Sequence, residues 1–418
     1  MKKICVIGLG YIGLPTALLF ATNGYDVVGV DINSATVEKV NRKIIPFEED
    51  GLEDLLIEAV DSRRFRASKT PENADVFVVA VPTPFDKENR MADMSYVIAA
   101  TQSIVKFLKK DNLVILESTV PPGACEKCIT PILEGSGLKV IDDFYVAHCP
   151  ERAIPGNTLY EMVNNDRMIG GMDIRSSERA KELYESFVVG DIHVTSIRTA
   201  EMIKLMENTY RDINIALANE FAQIAEEAGV NVWDAIELAN KHPRVDILKP
   251  GPGVGGHCIA VDPWFLTEDS TKSRIITLAR EINDGMPVYV MHIVKDMLKD
   301  LKKPSVTIFG VAYKADVGDT RETPALKFIR LAEKEGFRIR VYDPYVADGK
   351  FEYPVLSMDD AISDSDCVVV LTDHNEFESL PTDKIGDLMR TRRIVDTRNC
   401  IDHEQWRKSG FEIRILGC

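Results

Sequence analysis

Cys258 closes a run of glycines in the stretch GPGVGGHCIAVDPW, residues 251–264, and Asp262 follows it by four positions. A thiol placed where the backbone is barest admits three chemistries: a disulfide, a metal ligand, or a nucleophile that carries an acyl group. Only the thiolate attacks, and a thiol of pKa about 8.5 supplies roughly a few per cent of it at neutral pH unless its surroundings favour the anion. Other isolated polar groups stand on patterned segments. Lys204 and Asn208 are one helical turn apart, so both project from one face, which is either functional or simply solvated. ESTVPPG sets Glu117, Ser118 and Thr119 after an apolar run, and HCPERAIPG does the same with Glu151 and Arg152. If those runs are strands of an open α/β sheet, these residues lie at its carboxyl edge, where such sheets bind ligands.

The first third of the chain supplies such a sheet. KICVIGLG, DVVGVD, VFVVAVPTP, NLVILEST and DFYVAHCP are continuous apolar, β-branched runs, the texture of parallel strands buried on both faces. They alternate with helical patterns such as YIGLPTALLFATNG and SYVIAATQSIVKFLKK, as βαβ units do. GLGYIG places Gly8, Gly10 and Gly13 in a G-x-G-x-x-G directly after the first strand. The first glycine permits the tight turn and the second lets the backbone approach a pyrophosphate. The third lets helix and strand pack closely. Asp31 ends the next strand, 18 residues beyond Gly13, where a carboxylate accepts from a ribose 2′-hydroxyl and repels a 2′-phosphate. The expected cofactor is NAD rather than NADP.

A different texture follows. Residues 198–230 keep a 3.6-residue apolar period with no glycine or proline before Gly229, which predicts one long helix, and NVWDAIELANK predicts a shorter one. The apolar stripe of the long helix must be covered, and a second copy of the chain is the expected partner. After residue 300 the alternation returns in SVTIFGVAY, RIRVYDP, CVVVLTD and RIVDTRNCID. The expected fold class is α/β, two Rossmann-like doubly wound domains joined by a long central helix. The second domain lacks the dinucleotide fingerprint. FGVAYKADVGDTRETP keeps Gly310 at the turn and adds Lys314 and Arg321, a loop suited to a nucleotide diphosphate held by side chains or else to solvent.

Bulk properties narrow the class further. At 418 residues the chain exceeds one ordinary core. Its net charge of −16 argues against nucleic acid, so an anionic substrate must be held by a few local cations. No apolar run reaches the roughly 18 residues of a membrane span, so no membrane partner is expected. The basic, apolar start MKKICVIGLGYIG lacks a small-residue cleavage site, and the expected location is cytoplasmic. The eight cysteines are scattered, as in a reducing compartment. Cys125 and Cys128 form a CxxC without a second pair at zinc-site spacing, so no metal is expected and both read as ordinary helix-face residues.

GLGYIG, VPTP, ESTVPPG, CPER, AEMIKLMENTYRDINIALANE, GPGVGGHCIAVDPWF and GVAYKADVGDTRETP occur together and in this order along the whole chain. In this the chain resembles the nucleotide-sugar dehydrogenases, which oxidise a UDP- or GDP-linked sugar alcohol to a uronic acid with NAD. PERAIPG and HPRVDILKPGPGVGGHCIAVDPWF resemble the 2-acetamido-sugar form, implying UDP-N-acetyl-D-mannosamine as substrate, with UDP-N-acetylglucosamine or UDP-glucose as the alternative. UDP-glucose members usually carry NPEF, and an aromatic residue or serine where this chain has His257.

The resemblance implies a role for each matching residue. Residues 1–195 would be the NAD-binding domain, 196–295 a central helical dimerisation region, and 296–418 the UDP-sugar-binding domain. NAD would be held by Gly8, Gly10, Tyr11, Ile12, Gly13, Asp31, Pro82, Thr83 and Thr119. Cys258 would add to the aldehyde left by the first oxidation, giving a thiohemiacetal and then a thioester. Lys204 and Asn208 would hold the oxyanion, and Asp262 with Thr119 would position a water. Glu151 would assist thioester hydrolysis, and on chemical grounds it competes with Asp262 for the role of base. The UDP-sugar would lie between the two α/β halves, touched by Arg211, Gly255, Tyr313, Lys314 and Arg398. Arg244 would reach it from the other subunit of a homodimer, while Arg152 and His257 are the candidates for reading the acetamido group. Two rivals differ in kind: a hydroxyacid dehydrogenase that performs a single oxidation and needs no cysteine, and a catalytically silent NAD-binding scaffold.

Overall fold

The computed structural model describes residues 2–86, 88–154 and 156–418, so Pro155 of the PERAIPG motif lies outside the described residues. The chain folds into two compact units, Met1–Glu207 with Trp264–Ser270, and Asn208–Pro263 with Thr271–Cys418. The helix Ile197–Ala228 contributes to each.

The first unit is built on an eight-stranded sheet ordered Ile192–Ser196, Arg167–Gly171, Tyr145–His148, Leu113–Leu116, Val76–Val79, Lys3–Ile7, Asp26–Val30, Phe65–Ser68. Every neighbouring pair is parallel except Tyr145–His148 with Arg167–Gly171, which are antiparallel. The apolar runs are continuous because alternate residues feed two cores. Ile4 and Val6 pack on one face with Leu14, Phe20 and Tyr184, while Cys5 and Ile7 pack on the other with Val97 and Ile129. Each such side chain stabilises the fold by about 1.5–3 kcal/mol on burial. The helix Gly13–Thr22 is buried from Gly13 to Ala21, which explains its mostly apolar sequence.

One core residue departs from this chemistry. His148 is fully buried, and neither ring nitrogen has a hydrogen-bond partner among the described residues. Burial disfavours the imidazolium and pushes its pKa from 6.5 down to about 3. A depressed folded-state value means that stability is complete above pH 6.5 and is lost as pH falls toward the folded value. Between pH 7 and 4.5 the loss from this ring is about 3 kcal/mol. His148→Leu is therefore expected to shrink the drop in urea midpoint between those two pH values, and an unchanged drop would refute the assignment.

The second unit carries a five-stranded parallel sheet ordered Arg338–Tyr342, Ser305–Phe309, Cys367–Val370, Arg393–Asp396, Glu412–Ile415. Two cores cover its faces, one of them including the helices Arg274–Met297 and Pro324–Lys334. The long helix ends at Gly229, whose φ of +68° suits glycine, and Val232–Ala239 follows. No helix among the described residues is long and apolar enough to cross a membrane.

Candidate active site

The sheet of the first unit builds a dinucleotide cradle. Gly8 has φ +99°, and a Cβ there would strike the Ala80 carbonyl, while a Cβ on Gly13 would strike the carbonyl of Gly8. Gly10 differs: its Cβ would meet nothing within 4 Å among the described residues. Two glycines thus make the turn, and the third leaves open the approach that a pyrophosphate needs. Asp31 fixes the loop by accepting from the Leu9 N–H at 3.0 Å and the Asn33 N–H at 2.8 Å. Tyr11 is exposed beside this loop, its ring 4.2 Å from that of Phe47, and Ile12 is half-buried. In the VPTP segment Pro82 is exposed, while the buried Thr83 hydroxyl has no partner among the described residues. Ser118 Oγ straps that segment to the next strand, donating to Val81 O at 2.7 Å and accepting from Val81 N at 3.0 Å, which leaves Thr119 half-buried at the carboxyl edge. An open glycine, an orphan hydroxyl and a tethered carboxylate fit NAD.

Glu151 lies in the loop after Tyr145–His148. Its Oε1 accepts from the backbone N–H of Arg152 at 2.7 Å and of Ala153 at 2.9 Å, and its Oε2 accepts from Arg167 at 2.7 Å. Arg152 is already engaged: Nε donates to Glu207 at 3.0 Å, Nη2 pairs with the other Glu207 oxygen at 3.0 Å, and Nη1 donates to Asp166 O at 2.9 Å. Lys204 is nearly buried on the long helix. One turn before it, Glu201 accepts from the backbone N–H groups of Gly123 and Cys125, and burial raises its pKa. Cys125 is itself buried in a π-helical turn, Cys125–Ile129, and burial pushes the Cys125 and Cys128 thiols up, away from nucleophilic use.

In the second unit the glycine loop sets Cys258 one turn from Asp262, which Asn208 holds. Cys258 is an exposed residue. The Cys258 carbonyl accepts from Val261 N at 3.1 Å and Asp262 N at 2.8 Å, so the cysteine sits in the turn that opens the helix Asp262–Thr267. Asn208 Nδ2 donates to Asp262 Oδ2 at 2.6 Å, and both residues are buried. A Cβ on Gly255 would fall 2.6 Å from Tyr313 Cβ, and one on Gly256 would fall 2.8 Å from the Tyr313 ring, so the loop needs glycine to lie on Tyr313. The Gly256 N–H donates to Arg321 O at 2.9 Å. Arg398 crowds Gly251 in the same way and donates to Asp373 at 2.8 Å. Lys314, Arg211 and Arg244 are exposed; His257 is half-buried, with its pKa lowered by burial and by the charge of Arg321.

Sequence reasoning missed the scaffold under this loop. The Gly251 N–H donates to Asn219 Oδ1 at 2.8 Å, Asn219 Nδ2 donates to Asn283 Oδ1 at 2.9 Å, and Asn283 Nδ2 donates to Asp212. It also missed Asp343, which accepts from the Val311 and Ala312 N–H groups and lies 3.2 Å from His374 Nε2. Asp343 ties its turn as Asp31 ties the cradle of the first unit. The signal was available, since Asp343 ends the strand after Gly310 just as Asp31 ends the strand after Gly8.

Residues 2–188, 198–285 and 307–403 match in turn the NAD binding, central and UDP binding domains of the UDP-glucose/GDP-mannose dehydrogenase family. A UDP-N-acetyl-D-mannosamine dehydrogenase of Methanococcus vannielii is 50% identical over 100% of this chain and 97% of its own length. An NDP-N-acetyl-D-galactosaminuronic acid dehydrogenase of Ralstonia solanacearum is 45% identical over 95% of this chain and 96% of its own. The solved structure of the UDP-D-ManNAc dehydrogenase from Pyrococcus horikoshii superposes with a TM-score of 0.93 at 42% identity, over 99% of each chain.

Proposed function

The chain belongs to the UDP-glucose/GDP-mannose dehydrogenase family, and from that premise we propose that it oxidises UDP-N-acetyl-D-mannosamine to UDP-N-acetyl-D-mannosaminuronate. The observation that carries this reading is the exposed Cys258 on its glycine loop, one turn from an Asp262 held by Asn208. When bound, NAD supplies the hydride acceptor for both oxidations.

Two hydrides must leave one carbon, and the aldehyde formed first cannot release its remaining hydrogen as hydride until a nucleophile adds. Thr119 and Asp262 position the water that takes the alcohol proton. Cys258 Sγ then bonds to the aldehyde carbon, while Lys204 and the amide of Asn208 stabilise the oxygen, where one donor is worth about 3 kcal/mol. Loss of the second hydride and of the hydroxyl proton leaves a thioester on Cys258. Water adds to that carbonyl with Glu151 taking its proton, the C–S bond breaks, and the carboxylate leaves while the sulfur departs as thiolate. In sum, alcohol, water and two hydride acceptors give carboxylate, two reduced acceptors and three protons.

UDP is assigned to Tyr313, Lys314, Arg398 and Gly255, with Arg211 beside the sugar. Arg244 is assigned to the substrate of a second copy in a homodimer, and the exposed Tyr210, Leu217 and Ile224 on the long helix favour such self-association. His257 is the stronger candidate for the acetamido group, because Arg152 already has three donors committed. Catalysis is placed in the cytoplasm, with the uronate serving a surface polysaccharide or glycan. The 50% identity to the Methanococcus vannielii enzyme favours the manno substrate over the galacto substrate of the Ralstonia solanacearum relative. Offered UDP-N-acetyl-D-mannosamine, UDP-N-acetylglucosamine and UDP-glucose, the protein is expected to show the highest kcat/KM with the first, by about tenfold, which one or two contacts can supply. Faster turnover of UDP-N-acetylglucosamine would overturn the substrate assignment.

A further inference from the structure

We propose that Arg167 is a positioning residue for the acyl-transfer half of the reaction: from inside the first unit, its guanidinium fork sets the Glu151 carboxylate that directs water at the thioester. This rests on the reading of Glu151 given above.

Arg167 opens the strand Arg167–Gly171 and is almost wholly buried. One arm, Nη2, donates to Glu151 Oε2 at 2.7 Å and lies 3.4 Å from Met162 O. The other arm, Nη1, lies 3.5 Å from Cys149 Sγ and 3.9 Å from Glu117 Oε1. The face of the group rests on Tyr184, its central carbon 4.7 Å from the ring centre. Glu117 is held in turn by the Tyr184 hydroxyl at 2.6 Å and the Thr16 hydroxyl at 3.0 Å, and Thr16 stands on the helix that begins at Gly13. A continuous buried path thus runs from the cofactor helix through Glu117 and Arg167 to Glu151.

Two carboxylates share one buried cation. Glu117 has no exposed side-chain surface, and desolvation, opposed chiefly by the Arg167 charge, raises its pKa to about 7. Glu151 has the closer contact to the cation and two backbone donors on its other oxygen. Three donors fill three of the roughly four lone-pair sites of that carboxylate and leave one on Oε2 for a water. A planar fork can satisfy Glu151 and face Glu117 and Cys149 together, whereas an ammonium is a point charge that cannot span both.

The test compares Arg167→Lys, Arg167→Met and Glu151→Gln in the full chain, with NAD and UDP-N-acetyl-D-mannosamine, by rapid-mixing NADH absorbance and intact mass. Expected for both Arg167 variants is a burst of NADH at a rate within about threefold of the parent. Steady-state turnover then falls by about tenfold or more, as an acyl-enzyme of oxidised sugar nucleotide accumulates on Cys258. The adduct should be more abundant in the Met variant than in the Lys variant, and Glu151→Gln should show it too. Should Arg167→Met not fold, Arg167→Lys carries the test alone. The proposal is overturned if Arg167→Lys turns over within twofold of the parent. It is equally overturned if burst and steady state fall together without adduct while Glu151→Gln accumulates it. Glu151→Gln without adduct would instead remove the hydrolytic role of Glu151 itself, and the positioning role with it.

Discussion

Replacing Cys258 with serine is expected to abolish uronate formation, lowering its rate by about a thousandfold or more, while NAD affinity stays at the parental value. The reason lies in the electronics of the two nucleophiles. A thiol ionises several pH units more readily than an alcohol, and the resulting thioester is open to attack by water. Cys258 is exposed on a loop whose glycines pack against Tyr313 and Arg398, and the Asp262 beside it is fixed by Asn208. NAD is assigned to Gly8, Gly10, Gly13 and Asp31, none of which the substitution touches. Calorimetric titration with NAD, together with product analysis by mass spectrometry, separates the two effects. A serine variant that makes uronate at the parental rate would show that no covalent intermediate on this residue is needed.

The second large effect is a contrast within the glycine loop. Gly13→Ala puts a methyl group against the Gly8 carbonyl and 3.2 Å from Ala80 Cβ, so backbone must move. A loss of about 2–4 kcal/mol of stability and of NAD binding is expected. Gly10→Val adds more atoms, yet its Cβ meets nothing within 4 Å among the described residues. Its Tm is expected to stay close to that of the parent while NAD affinity falls by about tenfold or more, since the added bulk occupies the approach of the pyrophosphate. Thermal melts and NAD titration of both variants test this. If Gly10→Val binds NAD as the parent does, the cradle is misassigned.

Much of the fold was legible because buried parallel strands leave unbroken apolar runs, and KICVI and CVVV read directly as such. Four strands of the two large sheets were not anticipated: Phe65–Ser68, Arg167–Gly171, Ile192–Ser196 and Glu412–Ile415. Three of these lie at sheet edges, where half the side chains face outward and the run is broken. The fourth opens with a buried arginine, whose charge disguises it. Arg167 finds its partners Glu117, Glu151 and Tyr184 only in the folded chain, so no spacing rule could point to it. The loop around Cys258 was readable from its glycines, but the asparagines that hold Gly251 were not. A buried polar side chain on a helix looks like a solvated one until its partner is seen.

In the mechanism proposed above, capture of an aldehyde by the Cys258 sulfur is what turns an alcohol dehydrogenase into an enzyme that delivers an acid. Counting NADH formed per molecule of UDP-N-acetyl-D-mannosamine consumed measures this directly, with limiting sugar and excess NAD. Two NADH per sugar, with the uronate as sole product, is the predicted result. One NADH per sugar, with an aldehyde or ketone as product, would contradict it.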